Sequence, residues 1–209
     1  KRRLWRPKDG ASQMASSTHR PFPFIWPTWI TGLLAGDKQC RWAAWYRAHY
    51  RYEKRPDQNF DSAAWTASHN ALVQRRKAAL EADGWRVTLE GQNDFKLVGR
   101  TAVLSGKPDL LAFKDGQALV SDEKTGKKKN ADFWQVLIYM LALPRKRSDL
   151  VRLRGEVVYS DDLVVPVAPE ELTPQRSEQI FAMLRLVGGD EPPERVPSEN
   201  ECSFCDIAD

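Results

Sequence analysis

Apolar and polar positions follow two different periods along this chain, and the switches between them divide it into elements. Up to about Pro27 charged residues, Ser and Pro mix with no period, which reads as a leader over 1–27. From Thr28 to about Tyr52 the apolar residues recur at helical spacing, interrupted at Gly36-Asp37, and predict two short helices in a segment 28–60 that carries Cys40. A longer helix is predicted from Asp61, as N-cap, to a stop at Gly84. Trp65, His69, Leu72, Val73, Arg76 and Leu80 share one of its faces, so His69 is expected to point inward. The period then shortens. Residues 85–90, 95–104, 109–114 and 117–124 are short runs rich in β-branched and apolar side chains and predict one sheet. A helix over 131–143 follows, capped by Asn130 and ended by Pro144, then strands over 152–159 and 163–167. The last clear helix has Thr173 as N-cap, Pro174 at its first position and Gly188-Gly189 at its end. The expected fold class is α/β, a mixed central sheet flanked by helices, with its core over 61–189 and a polar, Pro-rich cysteine segment over 190–209.

With 209 residues and 42% of them hydrophobic, the chain is long enough for one substantial core plus an appended module. The net charge is only +4, but basic residues cluster: Lys1, Arg2, Arg3, Arg6 and Lys8, then Arg41, Arg47, Arg51, Lys54 and Arg55. Such clustering favours a polyanionic partner, and charge alone equally fits a solvated leader beside an ordinary helix face. No apolar run approaches a membrane span and no secretory signal is present, so a cytoplasmic protein without a membrane partner is expected. Three cysteines, two of them at Cys202 and Cys205, suit metal or cluster ligation better than a disulfide framework.

The segment from Gly106 to Gly126 carries the chemistry. Asp115-Gly116 between two apolar runs predicts a tight hairpin turn, because both residues tolerate positive φ. Lys114 then opposes Gln117, and counting outward sets Asp109 across from Asp122. Alternation puts Leu111, Phe113, Ala118 and Val120 on the same face as the acids. Opposed carboxylates at the end of an apolar surface repel one another and require positive charge. Lys124, two residues beyond Asp122, supplies one charge, and a hard divalent cation would supply the rest. That set suits phosphodiester hydrolysis, with a metal-activated water and Lys124 stabilising developing charge or positioning the water.

Gly106 to Asp109, then Asp122-Glu123-Lys124-Thr125-Gly126, then Gln135 through Tyr139, resemble the RecB-like branch of the PD-(D/E)XK nucleases, which includes RecB and AddB nuclease domains and CRISPR spacer-acquisition nucleases. The resemblance implies a metal-dependent DNA nuclease, exonuclease or end-processing, on a restriction-endonuclease-like core. It assigns Asp109, Asp122 and Lys124 as catalytic. It gives Mn²⁺ or Mg²⁺ the ligands His69, Asp109, Asp122 and the backbone carbonyl of Glu123, whose side chain would face away. Glu90 stands in reserve for His69. Gln135 and Tyr139, four apart on one helix face, would look toward DNA, and Lys127 to Lys129 would meet phosphates. DNA with free ends or single-stranded regions is the implied partner, with a helicase or a CRISPR integrase beside it. A catalytically silent DNA-binding or scaffold module that keeps the fold is the alternative.

Some members of that branch hold a 4Fe-4S cluster on one upstream cysteine and three at the C-terminal end. Cys40, Cys202 and Cys205 match three of these positions. The fourth ligand is not in the 209 residues, and the last cysteine of the group is expected beyond Asp209; a non-cysteine ligand or a zinc site is the other reading.

Overall fold

The computed structural model describes residues 17–55, 60–150 and 153–207. The basic residues Lys1 to Lys8 and the expected strand start at Arg152 lie outside these.

Two short strands, β1 (Thr18–His19) and β2 (Phe24–Ile25), lead into helices α1 (Pro27–Leu34) and α2 (Arg41–His49) and strand β3 (Tyr50–Arg51). The long helix α3 is Ser62–Ala82. Its cap is the expected one: Asp61 Oδ1 accepts from the Ala64 amide at 2.9 Å, and Gly84 takes φ +81° just past the end. Strand β4 (Arg86–Leu89), a single turn α4 (Glu90–Asn93), and strands β5 (Phe95–Val98), β6 (Val103–Gly106), β7 (Leu110–Lys114) and β8 (Gln117–Lys124) follow. Helix α5 (Asn130–Lys146), strands β9 (Leu153–Tyr159) and β10 (Val164–Val167), and helices α6 (Pro174–Val187) and α7 (Glu199–Ser203) complete the order.

The central sheet runs β10-β9-β8-β7-β4, with only the β8–β9 pair parallel. It is therefore a mixed sheet, as expected of a restriction-endonuclease-like α/β core. Helix α5 makes the crossover between the two parallel strands, which a parallel pair requires. One face of the sheet, bearing Leu111, Ala118 and Val120, packs on Val136 to Leu143 of α5. The other face, bearing Leu110, Ala112 and Leu119, packs on Leu80 and Trp85 at the end of α3. The hairpin register is the one counted from the sequence: Lys114 pairs Gln117 and Leu110 pairs Ser121, with Asp115 and Gly116 at φ 50° and 73°.

Three expectations change. The leader is not structureless throughout: β2 pairs in parallel with β6, and Ile25 is fully buried. The run over 95–104 is two strands, because the Gly99 amide bonds the Ala102 carbonyl and closes a turn; β5 and β6 join β2 in a separate three-stranded sheet. Pro144 does not end α5, which continues to Lys146, with the Arg145 side chain donating to the Leu141 carbonyl.

Candidate active site

The site is built where β7 enters and β8 leaves the hairpin. Asp109 precedes the first paired residue of β7, and its Oδ2 accepts from the Glu123 amide at 2.8 Å. That bond fixes the acid against the end of β8. Asp122 lies on the α5 side of the sheet, 2% exposed, with Lys124 on the same face. Lys124 Nζ lies 2.6 Å from Asp122 Oδ2 as a charge contact, and that oxygen takes no well-directed hydrogen bond among the described residues. Burial pushes Asp122 up to about 6, with the Lys124 charge opposing and the Asp109 charge adding. Burial opposes the charged form of Lys124, but Asp122 overcomes it, and the net shift is upward. The Asp122 charge thus favours the ammonium form of Lys124.

Gln135 holds the pair together from below. Its Nε2 donates to Asp122 Oδ1 at 2.9 Å and to the Tyr139 hydroxyl at 3.0 Å, while its Oε1 accepts from Lys124 at 3.1 Å. Gln135 and Tyr139 are buried, 7% and 3% exposed, and among the described residues Tyr139 reaches the acid and the lysine only through Gln135. Lys127 and Lys128 are exposed in the loop after β8.

On the α3 side, His69 Nε2 lies 3.4 Å from Asp109 Oδ2, and the ring also lies against the Glu123 backbone carbonyl. The hydrogen bond to Asp109 raises the His69 pKa against burial. The Glu123 side chain is turned to the α3 face, with Oε1 accepting from Ser121 Oγ at 2.6 Å and burial pushing its pKa well up. Glu90 stands apart, exposed, 3.9 Å from Lys107. Trp65, expected on the inward face of α3, is 45% exposed.

Two positioning groups escaped the sequence reading. Asn93 is buried and donates to the carbonyls of Thr88 and Pro108, so it clamps the residue before Asp109. Arg76 makes a bidentate pair with Glu156 of β9 at 2.7 and 2.6 Å, fixing α3, and with it His69, on the sheet. Neither has a sequence signal: Asn93 bonds backbone carbonyls, which any residue offers, and Arg76 and Glu156 lie 80 residues apart.

The cysteines are free. Cys40 caps α2 and its amide donates to Glu201 Oε2 at 3.2 Å, while Arg47 Nη2 lies 4.0 Å from Cys205 Sγ. The C-terminal segment therefore returns to α2.

The model of the PD-(D/E)XK nuclease superfamily matches residues 34–209. The chain belongs to that superfamily. No curated protein matches it. The crystal structure of SSO0001 is similar over 90% of this chain and 85% of that one, at 12% identity and a TM-score of 0.48. No helix among the described residues is long and apolar enough to cross a membrane.

PD-(D/E)XK nucleases generally use Mg²⁺ or Mn²⁺. Among the described residues no three His, Cys, Asp or Glu side chains gather as a ready metal or cluster cage. At the acids the reason is that Lys124 sits on the free oxygen of Asp122 while Asp109 is drawn toward His69. The donor types nonetheless fit such an ion: carboxylate oxygens, one peptide carbonyl and one imidazole, with Asp122 Oδ2 buried and met by the Lys124 ammonium.

Proposed function

We propose that this chain is a divalent-metal-dependent deoxyribonuclease that hydrolyses phosphodiester bonds at Asp109, Asp122 and Lys124, at DNA ends or in single-stranded regions. The observation that carries this reading is the buried Asp122 carboxylate, with the Lys124 ammonium 2.6 Å away and the Asp109 charge acting on it, a grouping of the kind that gathers at functional sites. Asp109, Asp122, His69 and the Glu123 carbonyl would hold Mn²⁺ or Mg²⁺. An ion held there would supply Lewis-acid activation of the phosphate and of a water nucleophile. Lys124 keeps its proton and meets charge developing on the phosphate. Gln135 keeps lysine and acid in register. Lys127 and Lys128 contact the flanking phosphates.

Cys40, Cys202 and Cys205 would supply three ligands to a 4Fe-4S cluster that ties the two ends of the domain together. Glu201, next to Cys202, already docks the amides of Gln39 and Cys40, which supports that role. Anaerobically purified protein is then brown, with broad visible absorption; colourless protein with stoichiometric zinc rejects the cluster. A helicase or CRISPR integrase would deliver the DNA.

A silent DNA-holding module is the rival, favoured by the fact that both Asp122 oxygens are already engaged by Gln135 and Lys124. Labelled DNA incubated with Mn²⁺ or Mg²⁺ separates the two. Degradation by the wild type, lost on Asp109→Ala and on Lys124→Ala, is the expected result. Degradation that survives both substitutions removes the site, and none by the wild type leaves the rival.

A further inference from the structure

The exposed side of the start of α3 carries an aromatic track that the core does not use. Trp65, one turn before His69, stacks on its imidazole with centroids 5.1 Å apart and planes inclined by 18°. The indole is nevertheless 45% exposed. Phe60, 54% exposed, stands 6.2 Å from Trp65 at 49°. The three rings run from solvent to a histidine that touches Asp109. Beside Trp65 opens a groove of about 500 Å³ lined by Ser68, Ala71, Leu72, Thr125, Ser160 and Arg75, whose guanidinium lies 3.2 Å from the Asp162 carboxylate. Thr125 follows Lys124 directly in the chain, and Lys127 and Lys128 lie exposed just past it.

Large exposed aromatic side chains next to a groove of mixed apolar and hydroxyl lining mark a binding surface more than a packing accident. An open indole face suits a flat π-surface, and hydroxyls with a guanidinium suit a phosphate backbone. Duplex DNA keeps its bases stacked inside and offers this track only phosphates. An unpaired strand offers both. We infer that Phe60 and Trp65 form a stacking platform for unpaired bases of single-stranded DNA entering the site, so that the platform, not the acids, selects the strand state. This rests on the nuclease reading for the polarity of the groove toward a scissile phosphate.

The test is binding of labelled oligonucleotides in chelator, read by fluorescence anisotropy, for wild type, Trp65→Ala, Trp65→Phe and Phe60→Ala. Normal single strands, strands abasic at successive positions, and duplex are compared, with Mn²⁺ cleavage followed in parallel. Trp65→Ala is expected to weaken binding of the normal strand about tenfold or more, with little effect on the fully abasic strand or duplex, and Trp65→Phe to retain most of the affinity. A purely structural role in backing His69 would not distinguish normal from abasic strands. Equal affinity of Trp65→Ala and wild type for the normal strand, or an equal loss on normal and abasic strands, overturns the platform. If the wild type cleaves and Trp65→Ala cleaves single strands as well, the platform falls while the nuclease reading stands. If the wild type discriminates against abasic strands but cuts nothing, the platform stands and the nuclease reading falls.

Discussion

Asp122 is buried beside a lysine and near a second acid, and its titration has a definite sign. Its pKa is raised to about 6 in the fold, from 3.8 for a free side chain. Its contribution to stability is therefore present below about pH 4 and is lost as pH rises through 6. In metal-free protein the melting temperature of Asp122→Asn is expected to gain on the wild type between pH 4 and pH 7, measured by thermal denaturation; a gap that narrows over that range contradicts the assignment. Gln135 is the second lever, since it bonds both Asp122 and Lys124. Gln135→Ala is expected to lower the cleavage rate about tenfold or more with little change in DNA affinity, read from single-turnover kinetics, because a buried positioning residue acts on the acid and not on the ligand. The placing of Asp109, Asp122 and Lys124 at one end of the hairpin was legible in the sequence because one two-residue turn sets the register of both strands. Asn93 was not, because it bonds backbone carbonyls that no side chain marks, and Glu156 was not, because its partner Arg76 is 80 residues away.

At the scale of elements, the crossover helix α5 decides the geometry, since it buries its apolar stripe on β8 and β9 and carries Gln135 under the acids. Gly155 on β9 makes that approach possible: a Cβ there would lie 2.2 Å from Val136 Cγ1 and 2.9 Å from Met140 Sδ. Gly155→Ala is expected to cost about 1–3 kcal/mol of stability by overpacking, seen in denaturant unfolding, and to slow cleavage through the displaced Gln135. Caps and turns with a mechanism were legible: Asp61, Thr173 and Asp115-Gly116 all stand where the chain chemistry puts them. The errors arose where local rules compete with packing. Pro144 is tolerated near the end of α5, where the helix runs on for only two residues. β5 and β6 form one apolar run in sequence and are divided only by the turn at Gly99, which the propensities of their flanks conceal.

Across the whole molecule, the two ends of the described chain close on one another. Arg47 pairs with Asp206 at 2.6 Å, Tyr52 donates to the same carboxylate at 3.1 Å, and Lys54 bridges to Ile207. Burial pushes Asp206 up, but Arg47 outweighs it and the net shift is downward. The contribution of this pair is present above the ordinary carboxylate range and is lost as pH falls through the lowered pKa. Hydrogen exchange over 199–207 is expected to quicken on Asp206→Ala while the β7–β8 hairpin stays protected; uniform protection in both would show that the contact does not hold the segment. That closure was anticipated only through the cysteines, since nothing local in Arg47 or Asp206 announces a partner more than a hundred residues away. The account as a whole rests on a cation site at the two acids, and Mn²⁺ binding followed by electron paramagnetic resonance tests it most directly. One Mn²⁺ per chain near neutral pH, lost on Asp122→Asn and on Asp109→Ala, is the result expected; no binding by the wild type, or binding unchanged in both variants, contradicts it.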